Sequence, residues 1–513
     1  MGCFLWPEAL VPFAVLCGQL ALFGFLAFHR IVDSDEGFYL YASKLLAAEG
    51  TLIYRDFFYP QMPLLPFVYG GWMRLFGFGW YAGRALSVLL TALIGTGLFL
   101  RIRASTDQSI LALSALLLYV FNISVLLFFL TAKTYALSSI FLFAAMIAAG
   151  AGVSGRRHWS AFAAGLLVGL STQVRLFFVV AAPVIALWLW RRHEENPHRL
   201  PWLFGGGFIV GSIPSLLFLI AVPEQFIFDT FIYHSIRNPF GLVAQSNQKL
   251  GVVWQLLLGT TGRRPTQFTM LFASVPLGLL LWKRLNDITK ISILLSVTLA
   301  IVSVLPTPTF VQYFCVLVPF LIISLVGSLD AAFRSLRNQS YTRAAGIALL
   351  AFSLMYAGWA ATRFGGLFIG AEMAPGLDPG TEPFDWKIAT IERVAAVVKE
   401  NTRPDALTVS KWPGYLLTAD RRIYPGMENQ FSLDSSMRIP EEKANRYRMM
   451  RDDRFPDALA DPATGAVVIG NWSHKETISY AEALDANNYR LVGLVGNAEV
   501  FVRDSAAPTN DSE

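Results

Sequence analysis

Three carboxylates lie within four positions in the string "DSDE" at residues 33–36, directly after a long apolar run. Asp33 lies three residues ahead of Glu36, which is the spacing of a helix capping box, and acids are favoured in the first helical turn. A cap needs only one side chain, so capping explains Asp33 and Glu36 better than Asp35. A carboxylate at a membrane edge could instead accept a proton or stabilise positive charge. The pattern alone favours neither interpretation.

Three basic residues, Arg84, Lys133 and Arg175, lie where apolar segments are expected to meet the outer leaflet of a membrane. Long cationic side chains at such positions can simply extend to the lipid headgroups. Cations are disfavoured on that side of a membrane protein, however, and a site for a lipid phosphate would require them. Because arginine binds phosphate in bidentate fashion, we favour this role for Arg84 and Arg175, with Lys133 as the weaker candidate.

Two outer turns carry further polar candidates. The string "YRDFFYPQMPLLPF" is either a proline-rich turn into a helix or a loop that packs Arg55, Asp56 and Gln61 beside the first acids. The string "PTPTFVQYFCVLVPF" either starts a helix at a proline or turns Tyr313 toward the same site. The sequence contains no P-loop, HExxH or Cys/His cluster. We therefore predict neither a metal nor a cofactor.

The elements that position these residues follow from the composition. Of the 513 residues, 54% are hydrophobic and 15% are charged, whereas soluble proteins carry about 25% charged residues. The apolar residues fall in blocks of roughly 20, the length of a membrane-spanning helix. The net charge of +5 comes from short basic clusters between these blocks, which is typical of membrane orientation and not of nucleic-acid binding. The chain is thus predicted to be a polytopic α-helical membrane protein.

About eleven transmembrane helices are predicted. They cover roughly 4–28, 82–100, 108–126, 134–152, 159–174, 176–190, 202–222, 267–282, 291–306, 313–329 and 344–361. Basic residues collect at alternate junctions, which places those junctions in the cytoplasm. An odd number of spans then puts the N-terminus in the cytoplasm and the C-terminus outside.

Residues 1–361 form the predicted membrane domain, with outer-face loops at 29–81 and 223–266. The first loop contains an amphipathic helix at 36–49, ended by Gly50. An apolar stretch at 63–76 follows, and both segments suit helices that lie in the membrane interface.

Residues 372–503 are less apolar and are predicted to form a small extracytoplasmic α/β domain. The string "TIERVAAVVKENT" predicts an amphipathic helix, whereas "ALTVS", "GAVVIG" and "LVGLVGNAEVFVRD" predict strands. Residues 504–513 are predicted to be a disordered tail.

The first third of the chain resembles a known family. The strings "DSDEGFYLYASKLLAAEGTLIYRDFFYPQMPLLPFVYGGWMRLFG" and "GRALSVLL" resemble the GT-C membrane glycosyltransferases. The resemblance is to the bacterial family 39/83-like group, relatives of protein O-mannosyltransferases and the lipid A aminoarabinose transferase. That family has one span, then an outer loop with an Asp-Glu pair, two interfacial helices, a "YxDxxxPxxPL"-type turn and an arginine in the next span. The later "VQYFCVLVPFLIISL" is similar to its "YF…P" segment.

The resemblance implies a glycosyltransferase that uses a polyprenyl-phosphate-linked sugar on the outer face, usually with inversion. Asp35 and Glu36 match the family's Asp-Glu pair, with Asp35 as the base or acceptor-orienting carboxylate. Asp33, which fits the helix cap, is the third candidate acid of this cluster. Arg84 and Arg175 match basic positions near the donor phosphate. The implied partners are the lipid-linked donor, membrane lipids and an envelope acceptor that is a glycan, a lipid or a protein. The implied location is a bacterial plasma membrane.

Two positions depart from the family pattern. Gln61 stands where aminoarabinose transferases place a lysine, so one phosphate contact is missing or replaced. Lys133 and Tyr135 stand where some relatives carry a second acid, which argues against two-carboxylate and metal-dependent mechanisms. A transporter or flippase of lipid-linked sugars is the alternative function. Transporters often show internal repeats and ionisable residues at the bilayer midplane, and neither feature is visible in this sequence.

Overall fold

The structure is a computed structural model, and it describes residues 10–153, 159–192, 199–237, 241–259, 266–334, 339–362, 383–470 and 477–506. The chain divides into two compact units. The helical unit consists of Met1–Ala27, Ser87–Leu216 and Phe240–Phe364, and the mixed unit consists of Phe28–Leu86, Leu217–Pro239 and Gly365–Glu513. The whole of the predicted first outer loop, 29–81, therefore belongs to the same unit as the predicted C-terminal α/β domain.

The described part of the chain is mostly helical. In chain order the α-helices are α1 (Leu10–His29), α2 (Ser34–Lys44), α3 (Leu64–Phe76), α4 (Trp80–Thr106), α5 (Ser109–Val120), α6 (Ile123–Phe128), α7 (Thr134–Val153), α8 (Trp159–Val174), α9 (Ala181–Arg192), α10 (Arg199–Gly211), α11 (Ile213–Ala221), α12 (Pro223–Ile227), α13 (Tyr233–Ile236), α14 (Leu242–Leu258), α15 (Gln267–Phe272), α16 (Ser274–Leu280), α17 (Asp287–Val304), α18 (Val318–Arg334), α19 (Gln339–Ala361), α20 (Ile388–Asn401), α21 (Gln430–Ser436), α22 (Glu441–Arg446), α23 (Phe455–Ala460) and α24 (Thr477–Ala486). Short 3-10 or π segments cover Leu45–Glu49, Leu176–Val180, Phe228–Ile232, Trp282–Arg284, Val311–Leu317, Pro383–Trp386, Pro413–Leu416, Asp452–Arg454 and Asp504–Ala506.

Five described segments are long and apolar enough to cross a membrane: Leu10–His29, Trp80–Thr106, Thr134–Ala151, Asp287–Val304 and Val311–Arg334. The pair α10 and α11, which is bent by 50°, is a sixth candidate if it counts as one broken span. Other apolar helices among the described residues are only 10–17 residues long. The prediction of a multi-pass helical protein is confirmed, and the count of eleven spans stays a prediction.

Three of the predicted spans contain breaks. The segment 108–126 divides into α5 and α6 because Asn122 caps α6, its Oδ1 accepting from the amides of Ser124 and Val125 at 3.0 and 3.2 Å. The segment 202–222 bends between α10 and α11, and 267–282 divides at Ala273. A hydropathy pattern reports the apolar run but not where a polar side chain interrupts the helix.

Helices α8 and α10 of the helical unit cross at glycines. Gly165 and Gly169 in α8 meet Gly207 and Gly211 in α10 so closely that a Cβ atom at any of the four would lie within 2.9 Å of backbone atoms of the opposite helix. Small residues spaced four apart let membrane helices approach closely. The crossing fixes the helix that precedes Arg175.

Replacing Gly207 with alanine is expected to destabilise the helical unit by about 1–3 kcal/mol, the usual cost of overpacking. The added Cβ would lie 2.0 Å from the carbonyl oxygen of Phe162, which is main chain and cannot rotate away. Gly205→Ala is the matched control. Gly205 lies in the same helix, and a Cβ atom there would meet no other atom within 4 Å. The thermal unfolding midpoints of the purified full chain in detergent compare the two variants. Equal midpoints would contradict the close crossing.

The mixed unit contains a five-stranded sheet in the order β2-β1-β3-β5-β4. Its strands are β1 (Leu407–Ser410), β2 (Arg422–Ile423), β3 (Thr464–Ile469), β4 (Tyr489–Val495) and β5 (Ala498–Arg503). Strands β1, β2 and β3 are parallel, whereas β5 pairs antiparallel with both β3 and β4. The register pairs Val409 with Val467, and Val467 with Phe501.

Most local predictions for this unit are confirmed. Helix α20, strands β1 and β3 and the closing pair β4–β5 lie where the sequence places them. Strand β2 was not predicted, because two residues are too short to show a pattern. Asp504–Ala506 forms a 3-10 turn where the tail was predicted to begin, and the backbone amide of Arg403 donates to the carbonyl of Ala506 at 3.2 Å. The rest of the predicted tail, 507–513, lies outside the described residues.

Candidate functional site

The acidic cluster forms the start of helix α2 in the mixed unit. Asp33 is the N-cap, and its Oδ1 accepts from the amide of Asp35 at 3.0 Å. The amide of Asp33 in turn donates to Oε2 of Glu36 at 2.9 Å, which completes a capping box. The predicted capping box is therefore confirmed. The helix runs on through a π segment to Gly50, which has the left-handed φ of 70° that glycine adopts readily.

Glu36 is fully buried, and both of its carboxylate oxygens bind Arg84. Nε of Arg84 donates to Oε1 at 3.0 Å, and Nη2 donates to Oε2 at 2.6 Å. Nη1 of Arg84 donates to the carbonyl of Arg30, and Nη2 also donates to the carbonyl of Ile31, each at 3.0 Å. Arg84 is also fully buried. Arg84 therefore binds the first turn of α2 and the chain before it, and its contact with a donor phosphate stays a prediction.

Charge stabilises this buried network. Burial alone would raise the pKa of Glu36, but the nearby cations Arg84 and Arg30, together with the hydrogen bonds from Arg84 and Asp33, hold that pKa below its usual value. Burial and the charge of Arg84 lower the pKa of Arg30 to about 10, so its guanidinium stays protonated at neutral pH. The chain is thereby fixed immediately before and within the first turn of α2.

Asp35 differs from its two acidic neighbours in exposure. Asp33 and Glu36 are both 0% exposed, whereas Asp35 is half-buried. A half-buried carboxylate next to a rigid buried network can meet a substrate in a defined orientation. The structure therefore separates the three predicted catalytic acids into one accessible carboxylate and two that hold the helix start.

The other first-loop candidates lie in the mixed unit. Arg55 and Asp56 form an exposed ion pair, with 2.7 Å between Nη2 and Oδ2, and the amide of Leu52 also donates to Asp56. The hydrogen bonds from Arg55 lower the pKa of Asp56. The backbone carbonyl of Gln61 accepts from the hydroxyl of Tyr54, which closes the turn. Arg55 and Asp56 therefore bind each other and the backbone of their own loop.

A buried carboxylate that the sequence did not single out also holds this turn. Asp229 is 1% exposed, and its Oδ2 accepts from the amide of Tyr59 at 2.9 Å. Burial raises the pKa of Asp229 well above its usual value. The ring of Tyr59 packs against Phe38 in α2 with 6.5 Å between centroids. No local motif signals Asp229, because its partner is 170 residues away.

The predicted cations Lys133 and Arg175 lie together in the helical unit. Arg175 follows α8, and its guanidinium lies 4.6 Å from the ring centroid of Tyr135, 4.1 Å from Phe177 and 4.8 Å from Tyr313. Three aromatic faces around one guanidinium fix its position by cation–π attraction. Phe177 was not predicted, although it follows Arg175 by two residues.

Hydrogen bonds orient both cations. Nη1 of Arg175 donates to the hydroxyl of Thr134 at 2.8 Å. Nζ of Lys133 donates to the side-chain oxygen of Gln312 at 3.1 Å. Lys133 is 2% exposed and Arg175 is 8% exposed, whereas Tyr313 is half-buried. Cations that hydrogen bonds and aromatic rings hold in place can bind an anion such as a phosphate.

The arrangement of titratable groups bears on cofactors. Within the part of the chain that the structure describes, no group of three or more His, Cys, Asp or Glu side chains could hold a metal ion.

Comparison with known proteins identifies the fold. No protein-family model matches the sequence, and no curated protein sequence does. A crystal structure of ArnT from Cupriavidus metallidurans bound to undecaprenyl phosphate matches with a TM-score of 0.65 and 15% identity, over 97% of this chain and 99% of that chain. The apo crystal structure matches with the same TM-score and coverage at 14% identity. The chain thus has the GT-C fold of ArnT, a multi-pass membrane protein fold, as the resemblance predicted.

Proposed function

We propose that this protein is a membrane glycosyltransferase that takes a sugar from a polyprenyl-phosphate donor. The acid cluster carries this proposal, because its buried members support a single accessible carboxylate, that of Asp35. The structural similarity to an ArnT bound to undecaprenyl phosphate supports the choice of donor.

Asp35 is proposed as the general base. It accepts the proton of the acceptor nucleophile as that atom attacks the anomeric carbon, and its charge stabilises the oxocarbenium-like transition state. The bond from the anomeric carbon to the phosphate oxygen breaks in the same step. One accessible carboxylate suits a single displacement with inversion, whereas retention through a covalent intermediate uses two. Asp33 and Glu36 act by holding the first turn of α2.

The cations of the helical unit are proposed to bind the donor phosphate. The leaving group is a lipid phosphate, whose negative charge grows as the sugar departs, so fixed cations lower the barrier. Arg175 and Lys133 supply two such cations, and Tyr313 contributes a polar edge beside them. Gln61, which replaces the lysine of related enzymes, is proposed as a weaker polar contact near the acids.

The orientation of the chain in the membrane is proposed from the distribution of basic residues between the apolar segments. The N-terminus is placed in the cytoplasm, and the reaction and residues 372–503 are placed on the extracytoplasmic face of a bacterial plasma membrane. The acceptor is proposed to be an envelope glycan, lipid or protein.

The full chain in liposomes tests the enzyme against the transporter alternative. Polyprenyl-phosphate sugars and envelope extract from a deletion strain are supplied, and sugar transfer and polyprenyl phosphate release are measured together. Equal amounts of transferred sugar and released polyprenyl phosphate are expected. Movement of the intact donor across the bilayer without release of polyprenyl phosphate would overturn the proposal. Mass spectrometry of envelope glycans from the same strain then identifies the sugar and the acceptor.

Arg175→Ala is expected to lower kcat about 10²- to 10³-fold, as for other groups that stabilise charge in a transition state. Arg175→Lys is expected to recover only part of the loss, because an ammonium cannot fill the planar space between three rings. Steady-state kinetics with the lipid-linked donor provides the measurement.

Arg237→Ala is the matched control for this experiment. Arg237 also has its guanidinium over an aromatic ring, 4.5 Å from the centroid of Phe431, but it lies in the mixed unit. Its removal is expected to change kcat less than twofold. A wild-type kcat in Arg175→Ala would remove this residue from the proposed phosphate site.

A further inference from the structure

The first turn of α2 contacts a tryptophan from the far end of the chain. Nε1 of Trp412 donates to the carbonyl oxygen of Ser34 at 2.8 Å, and Nε2 of Gln430 donates to the same oxygen at 3.3 Å. Ser34 is the residue immediately before Asp35. All of these residues belong to the mixed unit.

The contact acts on the peptide group that joins Ser34 to Asp35. A peptide group is planar, so its carbonyl oxygen and its N–H are fixed in one plane. Trp412 binds the oxygen of this group, and Oδ1 of Asp33 accepts from its N–H at 3.0 Å. Hydrogen bonds on both sides of this peptide group fix its orientation, and with it the position of the Asp35 Cα atom that carries the side chain.

Shape as well as hydrogen bonding joins Trp412 to α2. A Cβ atom at Gly37 would lie 2.7 Å from Cε2 of Trp412 and 2.8 Å from its Nε1. Glycine is unfavourable inside a helix, and here its missing side chain leaves room for the indole ring. The indole therefore rests directly on the helix backbone, two residues beyond Asp35.

Trp412 is itself held in place. It is 1% exposed and follows β1 of the sheet. Its ring stacks on Trp80 with 5.8 Å between centroids and meets Trp386 edge-on at 4.9 Å. A buried ring between two others has little freedom to move, so it can transmit the position of the sheet to α2.

Two further bonds fix α2 along its length. The amide of Ile423, in strand β2, donates to the hydroxyl of Tyr41 at 3.0 Å. Nζ of Lys44 donates to the carbonyl of Leu417 at 2.9 Å. Segment 412–423 thus binds α2 near its first, middle and last turns.

We propose that Trp412 is a positioning residue for Asp35. The indole orients the Ser34–Asp35 peptide group so that the carboxylate is presented to the acceptor in one direction. The inference rests on the proposed function, since it assigns the purpose of the contact to the reaction of Asp35. It also gives the C-terminal α/β domain a part in catalysis, because that domain carries Trp412.

Trp412→Phe tests the inference with the full chain, since it keeps a buried ring and removes the indole N–H. We expect kcat to fall about ten- to a hundredfold, because small displacements of a catalytic group are costly. The KM for the lipid-linked donor should stay within twofold, because Trp412 contacts the first turn of α2 and donor binding is proposed for other residues. A general loss of fold would instead lower the amount of active protein and leave the kcat and KM of the remaining folded protein unchanged.

Two controls separate positioning from stability. Trp386→Phe makes the same exchange in a neighbouring buried ring, whose Nε1 has no hydrogen-bond partner among the described residues. Tyr489→Phe removes a buried hydroxyl that bonds the carbonyls of Leu459 and Thr464 elsewhere in the same unit. Both controls should retain kcat within twofold, and Tyr489→Phe should lower the unfolding midpoint at least as much as Trp412→Phe does.

Gly37→Ala provides a second route to the same contact. Its Cβ would collide with the indole, so kcat should fall in the wild-type background. The smaller phenylalanine ring leaves room for that Cβ, so Gly37→Ala should cost less kcat in the Trp412→Phe background. Additive losses in this double-mutant cycle would overturn the proposed contact.

Hydrogen exchange at residues 31–40 gives a readout that does not need activity. Trp412→Phe should speed exchange in this segment by at least tenfold relative to Trp386→Phe. Two results would overturn the positioning role and leave the proposed function intact. One is that Trp412→Phe leaves hydrogen exchange at 31–40 unchanged. The other is that Trp412→Phe keeps the wild-type kcat although Asp35→Asn loses activity. Faster exchange in a protein that transfers no sugar would refute the proposed function and, with it, the catalytic purpose of the contact.

Discussion

Asp35→Asn should greatly slow sugar transfer while donor binding and the fold are retained. An amide cannot accept the acceptor's proton, and it carries no charge to stabilise an oxocarbenium-like transition state. General base catalysis alone contributes about 10²- to 10⁴-fold, so we expect kcat to fall by at least 10²-fold. The measurement is transfer from a polyprenyl-phosphate sugar by the reconstituted full chain, with donor binding measured separately on the same preparation.

Two comparisons sharpen this result. Asp33→Asn should keep the fold and cost little activity, because asparagine caps a helix as well as aspartate does. Asp420→Asn removes an exposed carboxylate of the same unit, one paired with Lys399, and should leave transfer unchanged. Unchanged product formation by Asp35→Asn would show that another group is the base. Equal losses for Asp33→Asn and Asp35→Asn would show that the cluster, and not one carboxylate, does the chemistry.

Local patterns were enough to predict much of the region around Asp35. The Asp33–Glu36 spacing predicted the capping box, and Gly50 predicted the end of the helix, because both depend on residues within one or two turns. Strands β1, β3, β4 and β5 of the C-terminal domain were predicted because apolar, β-branched runs of four to seven residues stand between turn residues. Each of these predictions needs information from one short stretch of sequence.

The roles within the site needed contacts that no short stretch contains. Arg84 resembles a free cation at the start of a span, yet its guanidinium binds Glu36, 48 residues earlier. Trp412 lies 378 residues from the carbonyl that it binds. A single sequence shows which residues are charged or aromatic, but it does not show which of them form hydrogen bonds with one another in the fold. The prediction that Arg84 binds phosphate rested on its charge and position alone, and Trp412 was not predicted at all.

Glu36→Ala should be the most destabilising single change in the mixed unit. Glu36 is the carboxylate that binds Arg84, and both it and Arg84 are fully buried, with Arg30 2% exposed beside them. Removing one partner of a buried ion pair leaves an uncompensated charge and costs about 3–5 kcal/mol. The thermal unfolding midpoint of the full chain in detergent should fall accordingly. Asp420→Ala, which breaks an exposed pair, should cost no more than about 1 kcal/mol.

The effect of pH has a definite sign. The folded protein holds the pKa of Glu36 below its usual value, so folding favours the ionised form. The contribution of ionised Glu36 to the free energy of unfolding is fully present above its pKa in the unfolded chain, about 4.3. It is lost as the pH falls through the lower pKa of Glu36 in the folded protein. Wild type should therefore lose stability on acidification below about pH 4.3 more steeply than Glu36→Ala does.

The double variant Glu36→Leu/Arg84→Met distinguishes a structural pair from a phosphate-binding arginine. Replacing both members of a buried pair with apolar groups often restores stability, so the double variant should unfold at a higher temperature than Glu36→Ala. If Arg84 only supports the helix start, the recovered protein should bind the lipid-linked donor with wild-type affinity. A loss of donor affinity in this stably folded variant would return Arg84 to the phosphate site that the sequence first suggested for it.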